Sequence, residues 1–360
     1  MIRTWKALVP GLKGLAIGLI GGVLAAISHV PLPWIIGPLV AVAASRFAGA
    51  QVNALPGGRQ TGQWIIGTAL GLYFTPEVTA IVARLWWLLI VGGAFALALG
   101  YLSGFLLRAM TGIDKTTAVF ASVPGGAAEM SVLGERYGAR VDVVAAAQSL
   151  RIMLVVLIVP AAFAALGLHG ADPFHPGTTE LRPVGLVALL LATLGGGLLL
   201  ALVRMPNAFI LGALAVAIPL TVAEINLSAI PRPLSNAAQL LIGCALGARF
   251  ERDFLRHAPR LVGAIVVTVA AAIALSALFA WAAAAWTGLH LATLVLATAP
   301  GGIAEMAITA KVLDLGVPVV TSFHVTRVVM LLTCTGPVFV LLRRYRAAQR
   351  LRRDERGPVA

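Results

Sequence analysis

A nine-residue segment occurs twice in this chain. Ser-Val-Pro-Gly-Gly-Ala-Ala-Glu-Met at residues 122–130 returns as Thr-Ala-Pro-Gly-Gly-Ile-Ala-Glu-Met at residues 298–306. Proline lacks an amide donor and clashes with the preceding helical turn, while glycine allows backbone angles that other residues avoid. Each copy therefore predicts a break in a helix, followed one turn later by a glutamate. In apolar surroundings such a break must face protein or a water-filled cavity.

The repetition extends far beyond this segment. Residues 63–71 match residues 239–247 at an offset of 176, and the same offset relates the two Pro-Gly-Gly segments. The matched positions keep register over more than a hundred residues with one inserted residue. Chance similarity between apolar segments does not keep register in this way, so the pattern indicates a tandem duplication. It predicts two repeats, at residues 7–167 and 183–343.

The composition predicts an all-α protein that crosses a membrane many times. Hydrophobic residues make up 59% of the chain and charged residues 11%, whereas soluble domains carry about 25% charged residues. Long apolar runs separated by short polar joints are typical of transmembrane helices. Each repeat has six such elements, and the fifth contains the break. They lie at residues 10–28, 33–47, 62–76, 84–107, 116–135 and 142–167, and at residues 184–203, 207–222, 236–250, 261–285, 292–313 and 318–342.

The basic residues predict the orientation, because loops rich in Lys and Arg stay in the cytoplasm. The segment 168–181 contains neither residue type. If each broken element enters the membrane and returns to the same side, the basic loops all lie inside and segment 168–181 lies outside. This leaves about ten crossings and two inverted repeats, a plan that many secondary transporters share. The alternative is an unwound helix that crosses fully in each repeat.

This topology divides the chain into five parts. They are a cytoplasmic N-terminus at 1–6, a transmembrane repeat at 7–167, a periplasmic linker at 168–182, a second transmembrane repeat at 183–343 and a basic cytoplasmic tail at 344–360. The net charge is +13, and many of its arginines crowd the tail beside the last helix. We interpret that cluster as a topology determinant in contact with anionic lipid, not as a nucleic-acid site. The predicted location is the bacterial inner membrane, with both termini in the cytoplasm.

The candidate site consists of both breaks, the glutamate after each break, and two polar residues on one face of the next helix. These residues are Pro124, Gly125, Gly126, Glu129, Gln148, Arg151, Pro300, Gly301, Gly302, Glu305, His324 and Arg327. The helix that begins after each break points its positive end at the predicted cavity, where it can hold an anionic group. The alternative is a packing kink without a ligand.

The two glutamates allow two hypotheses. An acid at the centre of a membrane helix costs about 2.5–3.5 kcal/mol, so it needs a partner or water. In one hypothesis Glu129 and Glu305 form structural ion pairs with Arg151 and Arg327. In the other, the glutamates exchange a proton or hold a cation while the arginines bind an anionic substrate. His324 is either a group that titrates near neutral pH or a hydrogen-bonded packing residue.

The sequence lacks the residue patterns of several other functional classes. No group of His, Cys or carboxylates has metal-ligand spacing, and no phosphate loop, nucleophile elbow or dinucleotide fingerprint occurs. Cys244 and Cys334 both lie in apolar runs, so we expect no disulfide. We therefore expect neither a cofactor nor a metal, and we expect that the protein is not an enzyme.

The doubled Pro-Gly-Gly-x-Ala-Glu-Met, followed in the second copy by His324-Val-Thr-Arg327, resembles the AbrB-duplication family of bacterial membrane proteins. The resemblance covers about residues 7–343. This family is also labelled as an ammonia monooxygenase, and its names imply an oxygenase or a role in regulating gene expression. The residues support neither, since the ligands of an ammonia-oxidising metalloenzyme are absent. The repeat plan resembles, at the level of fold, the cation/proton antiporter and anion transporter superfamily.

We therefore predict a secondary transporter of a small polar solute, anions included, coupled to H⁺ or Na⁺. The alternative is a membrane-embedded regulator that influences gene expression indirectly. A regulator needs a cytoplasmic output module, and the tail is too short to fold alone. The expected partners are the solute or ion and anionic lipids at the tail, with a homodimer left open.

Overall fold

A computed structural model describes residues 2–170, 174–250 and 258–354. Within these ranges the chain forms helices and no strands. Asp172 of the predicted linker lies outside the described residues, as do the last six residues of the tail. The side chains of the tail arginines are likewise outside the description, so its lipid contacts stay a prediction.

The helices of the first half all lie before the linker. They are α1 (Ile2–Ile27), α2 (Pro33–Phe47), α3 (Gly58–Gly71), α4 (Pro76–Arg84), α5 (Trp86–Thr111), α6 (Lys115–Ser122), α7 (Ala127–Arg136) and α8 (Val141–Ala165). Those of the second half are α9 (Pro183–Leu202), α10 (Ala208–Val222), α11 (Arg232–Gly247), α12 (Pro259–Thr287), α13 (Leu291–Thr298), α14 (Ile303–Val312) and α15 (Val317–Asp354). Both predicted breaks are present, between α6 and α7 and between α13 and α14.

Several predicted bounds shift by a few residues, and the third element also ends in a bend that the sequence reading did not include. The apolar element expected at 62–76 begins earlier, as α3, and the chain then turns by 94° into α4. The turn follows from local sequence, because Thr75 accepts a hydrogen bond from the backbone N of Val78 and Pro76 occupies the first helical position. Both are strong signals for the start of a helix.

The described helices are those of a membrane protein. Six stretches are long and apolar enough to cross a bilayer, namely Leu8–Ile27, Trp86–Thr111, Val141–Ala165, Pro183–Leu202, Pro259–Thr287 and Val317–Leu341. The bent pair α3–α4 makes a seventh candidate, and α2 and α10 are shorter apolar helices. Large apolar side chains cover the outside, including Val184 at 85% exposure and Trp286 at 82%. Lipid is the solvent in which such a surface is stable.

The helices pack into two groups. The panel group contains α1–α3 and α9–α11, and the hairpin group contains α5–α8 and α12–α15. Contacts are dense within each group and sparse between them. In the panel group the two halves pack alike: Gly37 of α2 lies against Gly21 of α1, and Gly212 of α10 lies against Gly196 of α9. Any side chain at these glycines would push the paired helices apart.

Helix α5 runs in the direction opposite to that of its repeat mate α12. Helix α5 packs beside its repeat mate α12, and the rings of Phe95 and Phe279 stack with centroids 4.2 Å apart. Near the start of α5, Trp87 meets Trp286 near the end of α12, with centroids 5.6 Å apart. The beginning of one helix thus lies against the end of the other.

Each broken element folds back on itself. At the start of α6, the Thr117 hydroxyl accepts a hydrogen bond of 2.9 Å from the backbone N of Arg140, just before α8. Later in α6, the Phe120 carbonyl accepts one of 2.8 Å from Gln148, further along α8. Helix α6 therefore runs parallel to α8, and α7 returns to the start of α8. In the second half Thr293 accepts from the backbone N of Gly316 in the same way.

We call these elements hairpin 1 (residues 115–136) and hairpin 2 (residues 291–312). The Pro-Gly-Gly break forms the tip of each hairpin, beside the middle of the following long helix. Two long helices lead into the hairpins and end alike, with Gly112 and Gly288 in the left-handed conformation at φ 75° and 71°. Glycine adopts that conformation without steric cost, so it ends α5 and α12 at equivalent places.

Candidate functional site

At each hairpin tip the proline forms a tight turn. The backbone N of Gly125 donates a hydrogen bond of 2.7 Å to the Val123 carbonyl, and that of Gly301 donates one of 2.8 Å to the Ala299 carbonyl. A bond across a single residue defines a γ-turn, and its common form has a central φ near −75°, which suits proline. The turn reverses the chain and removes several carbonyls from helical hydrogen bonding.

Two arginines bind the carbonyls at the tips. Arg151 donates from Nη1 to the Val123 carbonyl at 3.2 Å and from Nη2 to the Gly125 carbonyl at 2.9 Å. In hairpin 2, Arg327 donates from Nη1 to the Ala299 carbonyl at 2.7 Å and from Nη2 to the Gly301 carbonyl. Each planar guanidinium thus holds both sides of one break.

Gln148 and His324 complete these caps. Gln148 donates from Nε2 to the Phe120 and Val123 carbonyls, both at 2.8 Å. His324 lies 2.9 Å through Nε2 from the Leu296 carbonyl, so the proton of a neutral ring belongs on Nε2. Both side chains are fully buried. They satisfy carbonyls at the ends of α6 and α13 that no helical amide can reach. His324 thus makes the hydrogen bond expected of a packing residue, one of the two roles that the sequence allows.

The motif glycines make room for the motif side chains. A Cβ on Gly126 would collide with the Glu129 carboxyl, and one on Gly302 with that of Glu305. A Cβ on Gly125 would meet Met130, and one on Gly301 would meet Met306. Each glutamate therefore folds back over the glycine that precedes the returning helix, at that helix's positive end. The spacing Pro-Gly-Gly-x-x-Glu-Met follows from these two contacts.

The predicted glutamate–arginine ion pairs do not form. Among the described residues, no carboxyl oxygen of Glu129 or Glu305 lies within 4.0 Å of a basic nitrogen of Arg151 or Arg327. The terminal nitrogens of both arginines are occupied by backbone carbonyls instead. The ion-pair hypothesis is therefore wrong for this conformation.

The two arginines lie together, and the Nε of each has no acceptor in the described structure. Arg151 is 5% exposed and Arg327 is 4% exposed, and they are close enough to repel one another. The Nε–H of each is buried without a hydrogen-bond partner in the described structure. A buried donor without a partner costs about 1–3 kcal/mol, more when it is charged. The pair is therefore incomplete without a further acceptor.

Further charges surround the tips. Arg59 begins α3 and Arg249 follows α11, and both are half-buried. Arg249 lies close enough to Arg59, Glu305 and Glu129 to interact electrostatically with all of them. Glu305 also interacts with Arg327. Four guanidinium groups and two carboxylates thus share this region, and its formal charge is positive.

A cleft joins these residues between the two helix groups. It is a small cleft that is partly open to its surroundings, and it is lined by residues of both groups. The panel group contributes Arg59, Gln63 and Asn207, and Gln63 donates to Asn207 at 3.3 Å. The hairpin group contributes residues from both tips, both arginines and Glu305.

Most predicted site residues meet at this cleft. Those that line it are Pro124, Gly125, Gly126, Arg151, Gly301, Gly302, Glu305 and Arg327. Glu129 is half-buried beside it, and Gln148 and His324 lie behind the tips, where they line no part of it. Pro300 lines a neighbouring cavity.

Sequence reasoning missed Asn207 and took Arg59 and Arg249 as topology signals only. A difference between the repeats marks Asn207, because the equivalent residue of the first repeat is Leu32. Both residues adopt a left-handed backbone, with φ 51° and 50°. Asparagine tolerates that conformation far better than leucine.

Comparison with known proteins identifies the family of this chain. A family model described as Transition state regulatory protein AbrB matches residues 12–343. The chain is 26% identical over 357 residues to "Uncharacterized protein YhjN" of Bacillus subtilis (strain 168), covering 91% of this chain and 92% of that protein. It is 25% identical over 312 residues to "Putative regulator AbrB" of Escherichia coli (strain K12), covering 86% and 89%. No solved structure matches the chain.

Proposed function

The chain belongs to the AbrB family, and we propose that it is a secondary transporter that carries a small anion across a membrane. The observation that carries this proposal is the cleft between the two helix groups. It contains two adjacent buried arginines, each with an Nε–H that no described group accepts. An anion at this position supplies the missing acceptor and separates two like charges.

The backbone supports the same ligand. Helices α7 and α14 both begin beside the cleft, with Gly126 and Gly302 among its lining residues. The first amides of a helix lack helical acceptors and carry a partial positive charge, which favours a bound anion. Arg59 on the panel side adds a third cation to the lining. A small carboxylate fits this set of donors.

The two groups of helices suit alternating access. A site between two bodies with sparse mutual contacts opens to either side when one body moves against the other. We propose that the hairpin group moves and the panel group stays, with two halves inverted in the membrane and about ten crossings. The opposite directions of α5 and α12 and the folded-back hairpins support this plan. The mouth near Arg59 and Arg249 lies beside basic loops, and we assign it to the cytoplasm.

The glutamates are our candidates for coupling to H⁺ or Na⁺. Glu305 is 8% exposed, lines the cleft, and interacts with Arg327. A proton or cation that neutralises this carboxylate changes the charge beside the anion, which links the two binding events. Glu129 occupies the equivalent place in the first half.

A second candidate function is a membrane-embedded regulator. The description of the family model and the name of the Escherichia coli relative favour it. In that case the cleft senses the anion instead of moving it, and the two functions share one binding site. We propose no enzymatic activity, since the cleft residues include no nucleophile paired with a base.

Binding and transport are tested separately. Purified protein in detergent is mixed with sodium salts of different anions and with chloride salts of different cations. The unfolding temperature is measured in each. We expect small carboxylates to stabilise it, because a ligand at 100 times its Kd adds about 2.7 kcal/mol. Arg59→Ala should weaken this effect. The control is Arg182→Ala, whose side chain is exposed and pairs with Glu180 on the surface. Stabilisation by no anion, or equally in both variants, contradicts the proposed site.

A further inference from the structure

A second cavity lies behind the hairpin tips. It is a small, partly open space between α5, α6, α8 and α12. Its walls are mainly apolar and include Leu99, Leu107, Ile265 and Val269. The arginine-lined cleft and this side cavity share Pro124 and Arg151 in their linings. Arg151 therefore stands where a polar space meets an apolar one.

The side cavity depends on differences between the repeats. Three of its lining residues are Gly100, Ser103 and Ser122. At the 176-residue offset the second half carries larger residues, Ser276, Phe279 and Thr298.

In the second half these larger side chains form contacts of their own. Ser276 Oγ donates to the Thr298 carbonyl at 3.2 Å, and Phe279 stacks on Phe95. The first half has smaller residues at these positions, and the side cavity lies beside them. The residues that line an empty apolar space lack dispersion contacts on that side. The protein is therefore more stable when a ligand fills the space.

Arg151 is the single charged residue of the side-cavity lining. Its side chain is 95% buried, and its Nε has no partner in the described structure. An acid group bound at Arg151 can thus extend an apolar substituent into the side cavity. Thr268 and the two serines are the other side chains there that carry a polar group.

From this arrangement we infer that the substrate is a monocarboxylate with a short apolar substituent. This inference rests on the proposed function and narrows it from small anions to amphipathic ones. The carboxylate lies between the two arginines, and the short aliphatic part extends into the side cavity. A dicarboxylate or an amino acid would place a second charge among Leu99, Leu107 and Val269, where burial of an unpaired charge is strongly unfavourable.

The affinities for a series of monocarboxylates of increasing chain length test this substrate assignment directly. The full-length protein in detergent is titrated with acetate, propionate, butyrate and hexanoate by calorimetry, with succinate as a polar dianion of similar length. Each methylene that leaves water contributes about 0.8 kcal/mol, which is about a fourfold gain in affinity. We expect this gain through the first few carbons and none for succinate over acetate.

A cavity-filling variant locates the effect. Ser103→Phe installs the residue of the second repeat and should bring hexanoate down to the affinity of acetate while acetate binding stays unchanged. Ala272→Leu fills the opposite wall and provides the same test if Ser103→Phe does not fold. The matched control is Leu102→Phe, on the neighbouring residue that is 54% exposed, which should leave the series unchanged.

The outcomes separate the inference from the proposal beneath it. Equal affinity of the wild-type protein for acetate and hexanoate overturns the amphipathic substrate and leaves the anion site standing. A chain-length gain that survives in both filled variants also overturns it. Failure of every anion to bind contradicts the proposed function itself.

Discussion

The contact between each second motif glycine and its glutamate gives a sharp prediction. In Gly302→Ala the new Cβ needs the space that the Glu305 carboxyl occupies. The backbone itself accepts alanine, because Gly302 has φ −89° and ψ 162°, an ordinary extended conformation. The three nearest atoms to the added Cβ all belong to Glu305, and the third lies 3.4 Å away. No other group is in the way.

The magnitude follows from that single clash. The clashing atoms are the far end of a flexible side chain, so the Glu305 carboxyl can move aside without a change in the backbone. The cost is then the loss of a carboxylate from the helix N-terminus, which is about 0.3–1 kcal/mol. We expect Gly302→Ala to lower the free energy of unfolding by about this amount. In the background of Glu305→Ala the same change should cost almost nothing, because the space is then empty, so the coupling energy of the double-mutant cycle should equal the cost of the single change.

The cycle is measured by equilibrium denaturation in detergent micelles, followed by tryptophan fluorescence. Gly126→Ala with Glu129→Ala repeats it in the first half, and the two cycles should agree in sign and rough size. The control is Gly195→Ala in α9, where an added Cβ meets nothing within 4 Å. Additive effects of the two changes would refute the placement of the glutamate over the glycine.

Three further outcomes follow from the same geometry. Gln148→Leu removes a fully buried donor and leaves the Phe120 carbonyl without a partner, so it should destabilise by about 1–3 kcal/mol in denaturant melts; His324→Gln copies the first repeat and should cost much less. Thr179→Cys, on an exposed residue of the linker, should react with an impermeant maleimide in intact cells, and protection until lysis would contradict a periplasmic linker. Glu305→Gln should fold normally yet lose the ion dependence of anion transport, whereas unchanged coupling would make Glu305 structural.

The sequence was sufficient for the repeats and the breaks. A fixed offset located both hairpins, and the residue chemistry of Pro-Gly-Gly required them to leave the helical path. The turn between α3 and α4 was missed, although Thr75-Pro76 carried a start signal, because hydropathy continues across it. Apolar runs show where the chain can enter a membrane, but they say little about where the chain bends.

The roles of the arginines could not be obtained in this way. Their Nη atoms bind carbonyls 26 and 28 residues earlier, a contact that exists only once the hairpin lies along the next helix. From sequence alone, an acid and an arginine in one apolar segment favour an ion pair, since that is the commonest partner for each. The available signal was the equal spacing between the break and the arginine in both repeats. That spacing was compatible with a glutamate partner and with a backbone carbonyl partner.

The account stands on an anion that binds at the two arginines and crosses the membrane. Uptake of a labelled carboxylate into proteoliposomes under an imposed ion gradient measures both, against protein-free liposomes. We predict uptake that saturates with concentration and that Arg59→Ala shifts to higher concentration while Arg182→Ala leaves it unchanged. Uptake no greater than that of protein-free liposomes, for every carboxylate that stabilises the purified protein, would contradict transport and leave a binding protein or sensor in its place.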